Sequence, residues 1–287
     1  MHKILASLSL CALALPVHVH ASGIDTTLCG SPKAEVSGTS GNFTSFSQEL
    51  SSPSCYAYVS TTSGPGYGSA VASVNWSLSG SSGYLSASGA TGFSESVHVS
   101  VPDDATGSVV FRPHLKISLD APSANAQFGS ASAAVTYSAT FEQTISGAFS
   151  IDSSGAINSF GQWNQVLILP EVVLFAGVDY PINVAASVYA EVNKTFQPGI
   201  TTTGSAIADF SHTLRWMGGE VIRVYDNQQN EIAPPANFYI QLIGQSSGID
   251  YALAVPVPVP EPETYAFLAV GLGLVSLMAR RKKMILR

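Results

Sequence analysis

The residues that could do chemistry are few and scattered. Gly244-Gln245-Ser246-Ser247-Gly248 has the G-x-S-x-G spacing of a hydrolase nucleophile elbow, which needs a strand before it, a helix after it and a histidine base later in the chain. No histidine follows Ser246, and the prolines from Pro256 onward leave little room for a helix. The spacing therefore predicts a turn. His98, His114 and His212 fall on separate segments, too distant in sequence for a local metal site, and are expected to be surface or hydrogen-bonded groups. Asp103-Asp104 and Asp152 sit in turn-forming sequence, where a carboxylate caps backbone amides or offers oxygen ligands to calcium; neither stretch has EF-hand spacing. A carboxylate pair for sugar hydrolysis is defined by separation in space, so any acid of the body could contribute to one. No catalytic residue, metal or cofactor is expected.

Aromatic faces are the remaining handle, since sugar rings stack on exposed indole and phenol faces. Trp76 alternates with Val74 and Leu78 and reads as core. Trp163, between Gln162 and Asn164, and Trp216, between Arg215 and the Gly218-Gly219 pair, have polar neighbours. These two are the candidate glycan-stacking residues.

The elements that must position these groups read as strands. Residues 108–119 alternate Val109, Phe111, Pro113, Leu115, Ile117 and Leu119 against Arg112, His114, Lys116 and Ser118, the two-residue period of a half-buried strand. Pro113 has no N–H to give to a ladder, so this strand is expected at a sheet edge or broken there. The alternation returns at Val97 to Val101, at Val135 to Phe141 and from Ile182 to Val192, whose other face carries Asn183, Ser187, Tyr189, Glu191 and Asn193. Residues 166–169 and 172–175 are continuously apolar, as in strands buried on both faces. Residues 123–128 are the one stretch with a helical turn's pattern, and no fixed repeat marks a solenoid. Many short strands without alternating helices predict an all-β fold, an antiparallel, jelly-roll-like β-sandwich over residues 22–254.

Both ends read differently from this body. Residues 1–21 hold Lys3, an apolar stretch and Val19-His20-Ala21, the layout of a secretion signal cleaved between Ala21 and Ser22 by signal peptidase. Cys11 is lost with it, and Cys29 and Cys55 remain to pair in an oxidising compartment, two distant thiols being too few for a metal. Setting aside Glu261 and Glu263 leaves 17 of the 19 acids. Setting aside Lys3, Arg280, Arg281, Lys282, Lys283 and Arg287 leaves 6 of the 12 bases, a balance of −11. An acidic body of this kind excludes nucleic acid as a partner, because that binding depends on neutralising phosphates.

Residues 255–264 form a proline-stiffened spacer containing Pro260-Glu261-Pro262. Residues 265–279 are apolar and predict a transmembrane helix, shorter than the roughly 20 residues of a full span. Residues 280–287 open with Arg280-Arg281-Lys282-Lys283, which positive-inside bias holds in the cytoplasm. These three zones resemble the PEP-CTERM sorting signal of bacterial exported proteins, a tail also catalogued as an ice-binding protein C-terminal domain. The resemblance implies export across the inner membrane of a Gram-negative bacterium, a transient membrane-held state, processing by an exosortase near the Pro-Glu-Pro, and exopolysaccharide as a neighbour. Residues 205–214 are similar to a strand found near the end of such ectodomains, which implies no activity.

Two functions follow as expectations. One is a non-catalytic surface or extracellular-matrix protein associated with exopolysaccharide or with copies of itself. The other is a secreted hydrolase or lyase acting on polysaccharide. An ice-binding face would need regular threonine ranks, and Thr201-Thr202-Thr203 is a single cluster.

Overall fold

A computed structural model describes residues 23–27, 29, 33–40, 43–80, 82–101, 106–234 and 238–255. Sixteen strands account for most of them: β1 (Gly23–Thr26), β2 (Lys33–Ser40), β3 (Phe43–Ser52), β4 (Cys55–Gly64), β5 (Tyr67–Ser79), β6 (Gly83–Ser100), β7 (Thr106–Ala126) and β8 (Gly129–Phe141), followed by β9 (Gln143–Asp152), β10 (Ile157–Phe160), β11 (Gln165–Ile168), β12 (Val172–Phe175), β13 (Asp179–Lys194), β14 (Thr201–Asp226), β15 (Glu231–Ile232) and β16 (Gln241–Gly244). Among the described residues there is no helix, and none is long and apolar enough to cross a membrane. The signal segment with Ala21 and Ser22, the sorting helix, Pro260, Glu261, Pro262 and the Arg280-to-Lys283 cluster lie outside the described residues.

The strands form two antiparallel sheets. The seven-stranded sheet runs β1-β6-β13-β8-β9-β10, with β16 beside β6. The nine-stranded sheet runs β11-β7-β14-β5-β4-β3-β2, with β12 on β7 and β15 on β14. Alternation explains the layering, since successive side chains of a strand point to opposite faces. Val109, Phe111, Leu115, Ile117 and Leu119 of β7 are buried, and so are Ile182 through Val192 at every second position of β13. The inward faces share one core. Phe141 of β8 stands edge-on to Phe111 of β7 at 6.5 Å and to Trp216 of β14 at 5.9 Å between ring centres, which joins the sheets. Strand β13 inserts between β6 and β8, and β14 between β5 and β7, so the centre of each sheet joins strands distant in sequence, whereas β2 to β5 and β8 to β10 pair consecutively.

Four expectations need correction. Residues 123–126 continue β7 and are not helical. Strand β7 passes unbroken through Pro113 and is not the sheet edge; its neighbours break instead. Strand β11 stops opposite His114, β12 begins opposite Phe111, and β14 shifts register between Trp216 and Gly219, so the missing N–H faces no intact ladder. The apolar runs in β11 and β12 are edge strands with one face in solvent. Finally, Val255, read as spacer, belongs to the body: it is buried, its N–H donates to Trp216 O, and its carbonyl accepts from Arg215 Nε at 2.6 Å. Residues 256–287 form a separate unit.

Candidate functional site

The outward face of the seven-stranded sheet is assembled from the polar positions of β6, β13, β8 and β9. Register places Ser94, Asn183, Thr140 and Thr144 in one row; the rows that follow are Gly92, Ala185, Ser138 and Ser146, then Ala90, Ser187, Thr136 and Ala148, then Ser88, Tyr189, Ala134 and Ser150. None of these sixteen positions carries a charge. Small β-branched and hydroxyl side chains keep the surface flat, Tyr189 being the one large side chain among these positions. The hydroxyls and amides pair across strands: Ser94 Oγ donates to Asn183 Oδ1 at 2.5 Å, Thr136 Oγ1 and Ser187 Oγ lie 2.7 Å apart, and Thr140 Oγ1 and Thr144 Oγ1 lie 2.9 Å apart.

The row of Gly92, Ala185, Ser138 and Ser146 is the lowest, and a depression of about 290 Å³ opens over it, lined by Ser94, Ser138, Thr140, Asn183 and Ala185. Two rows beyond Ala185 on the same face, Tyr189 supplies an aromatic ring, 37% exposed, its hydroxyl donating to Glu191. Chemically, this is a shallow, neutral surface of donors and acceptors with one ring available for stacking. The polar face of β13 was visible in the sequence, Tyr189 included. What linked it to Ser138 and Thr140 was register, which no single strand reports.

The expected tryptophan platforms are placed differently. Trp216 is fully buried, its Nε1 donating to Tyr251 O at 2.6 Å, so it presents no face to a sugar. Of its neighbours, Arg215 takes the alternate position opposite Lys116 in a regular ladder, and Gly218, with a positive φ, belongs to the bulge before Gly219. Trp163 is half-buried; Tyr137 and Phe149 meet its ring at near-right angles, 5.0 and 6.3 Å away, and its Nε1 donates to Phe160 O. These contacts pin loop 161–164 against the seven-stranded sheet.

The serine motif is a turn. Ser246 gives both its N–H and its hydroxyl to Glu95 Oε1, at 3.1 and 2.6 Å, and Gly248 closes back onto Gly244 O with a positive φ. Glu95 is buried, whereas His98, three residues on and so on the opposite face of β6, pairs with Asp179 at 2.7 Å in solvent. The serine and the histidine are therefore not brought together. Asp152 also serves a turn: its carboxylate accepts from Ser154 Oγ, Ser154 N and Ala156 N, bonds that hold it below the usual aspartate range.

On the nine-stranded sheet, Arg112 bridges Glu171 at 2.5 Å and Glu220 at 2.9 Å, and Arg223 reaches Glu171 at 3.3 Å. The Arg112 hydrogen bond holds Glu171 below the usual glutamate range, and Arg112 is pushed up in return. His114 Nε2 stands 3.9 Å from Glu220, too long for a hydrogen bond. Among the described residues no three His, Cys, Asp or Glu side chains gather as a metal site. The side chain of His212 and the pair Asp103-Asp104 lie outside the described residues.

Comparison with known families bears on the tail: residues 258–282 match the model described as the PEP-CTERM protein-sorting motif. The chain carries a PEP-CTERM sorting signal. That signal implies an exported protein of a Gram-negative envelope, addressed to an exosortase. The PEP-CTERM match ends at residue 282 and spans none of the strands. No curated protein and no solved structure matches the chain.

Proposed function

We propose that this chain is a non-catalytic surface or extracellular-matrix protein, delivered through its PEP-CTERM tail, that holds exopolysaccharide on the outer face of its seven-stranded sheet. The observation that carries the reading is the set of four uncharged rows around Ser138, Thr140, Asn183 and Ala185. A neutral polysaccharide chain offers hydroxyls and flat ring faces, and a level surface of paired hydroxyls, one amide and one phenol ring meets both without a deep cleft. Charge supports the same reading, since a body at −11 repels anionic polymers while these rows add nothing to that repulsion. The fold that goes with it is a jelly roll. Its support is the strand order, in which β5-β14-β7-β11 and β6-β13-β8-β9 interleave. Processing by the exosortase leaves the body at the cell surface or in the matrix beyond it.

The test is co-sedimentation of the full-length chain, held in mild detergent, with exopolysaccharide from the producing strain. Ala185→Arg and Ser138→Arg fill the depression at exposed positions and are expected to weaken binding about tenfold, as loss of surface complementarity does; Trp163→Ala is expected to retain it. Absent binding, or binding untouched by both arginines, sinks the reading. Soluble oligosaccharide released during the assay would replace it with a hydrolase or lyase.

A further inference from the structure

Strands β11 and β12 are apolar on both faces, and the fold covers only one. Leu167, Val172 and Leu174 face the core, while Val166, Ile168, Val173 and Phe175 stand 45, 63, 48 and 43% exposed. Strand β10 adds Ile157 and Phe160 at 58 and 59%. Loop 161–164 links the two sets: Trp163 packs on Tyr137 and Phe149 of the seven-stranded sheet, and Asn164 Oδ1 accepts from Leu119 N of β7. Both sets therefore lie on one side of the sandwich. That side also ends both sheets, because β10 pairs with β9 alone and β11 and β12 with β7 alone among the described strands. Their outer backbone groups form open ladders apart from Phe175, whose N–H donates to Tyr180 Oη and whose carbonyl accepts from Val178 N.

Natural edges are blunted by lysine, proline or a bulge. Strand β10, with the sequence Ile-Asn-Ser-Phe, has none of these. From Ile157 to Val178 the chain holds a single ionisable side chain, Glu171, and Arg112 and Arg223 already engage it.

We infer that this side docks a second copy of the chain, apolar edge against apolar edge. A second copy carries the same −11 balance and is repelled wherever acids face acids, so a strip almost free of charge is where two copies approach at least cost. A copy also brings a complementary open antiparallel edge and the same aliphatic side chains, which a twofold axis sets against one another. A basic partner would find only one acid here, already engaged. A polysaccharide would find aliphatic side chains where its hydroxyls need partners. The inference stands apart from the polysaccharide reading, which uses the other surface.

Sedimentation velocity of the full chain in density-matched mild detergent tests it. The wild type is expected to sediment as a dimer or larger. A double variant, Ile168→Lys with Val173→Lys, is expected to raise the dissociation constant at least about tenfold, the effect of burying unpaired charge at a contact. Ile168→Thr with Val173→Thr keeps β-branched residues and is expected to weaken association as well, so a folding defect in the lysine variant does not decide the matter. Tyr239→Lys and Leu253→Lys, at residues 55 and 65% exposed outside this strip, are expected to associate as the wild type does. A monomeric wild type, or association unchanged in both edge variants, overturns the inference. Exopolysaccharide co-sedimentation of the edge variants reads the other surface separately.

Discussion

Cys29 follows β1 of the seven-stranded sheet and Cys55 opens β4 of the nine-stranded sheet, and their disulfide joins the two across a Cα–Cα distance of 6.1 Å. The bond closes a loop holding β2 and β3, and closing a loop of that size restricts the unfolded chain. Cys55→Ser, or reduction of the wild type, is expected to lower unfolding stability by about 3 kcal/mol. Urea unfolding with and without a reductant measures it, and equal midpoints would remove the disulfide from the stability of the fold.

Gly204 of β14 lies directly against the indole of Trp76. A methyl group at this position would come within 2.5 Å of Trp76 Nε1 and 2.7 Å of Cε2, and the ring is fully buried. Gly204→Ala is expected to cost about 1–3 kcal/mol, the penalty of overpacking a filled core. Thermal unfolding followed by tryptophan fluorescence reads the loss, and an unchanged midpoint would contradict this packing.

Acid should loosen the contacts around Glu171. Its carboxyl is depressed by the Arg112 hydrogen bond, and Asp152 and Asp226 are depressed by hydrogen bonds in their turns, from Ser154 and from Asn230. A depressed folded-state value means the stabilisation is complete above the ordinary carboxylate range and fades as pH falls below it. The melting temperature is expected to hold from neutrality to about pH 5 and then to drop. In Glu171→Gln the drop from about pH 5 to pH 3 should be shallower. Parallel melting curves for the two proteins across that window would show that the carboxylate does not contribute.

The layering of this fold was legible where a strand has one wet face. At 108–119 and 182–192, alternation alone separated the core side chains from the outer ones. Trp216 was misread: it keeps the two-residue phase of Leu214, which is buried with it, while Arg215 takes the outward position and Gly218-Gly219 a bulge. The edge position of β11 and β12 was not legible. A continuously apolar run looks the same whether the second face meets the chain's own core or another molecule. The rows on the seven-stranded sheet were hidden for a different reason: Ser94, Asn183, Thr140 and Thr144 come from four strands, and only their pairing aligns them.

Val255 is clipped to Trp216 and to Arg215 on β14. A pull on the C-terminal end of the body must therefore break these two bonds to β14, a strand flanked by β5 and β7, before it reaches β16 along the chain. The C-terminal end of the sandwich is thus fastened to both sheets, to β14 through Val255 and to β6 through β16.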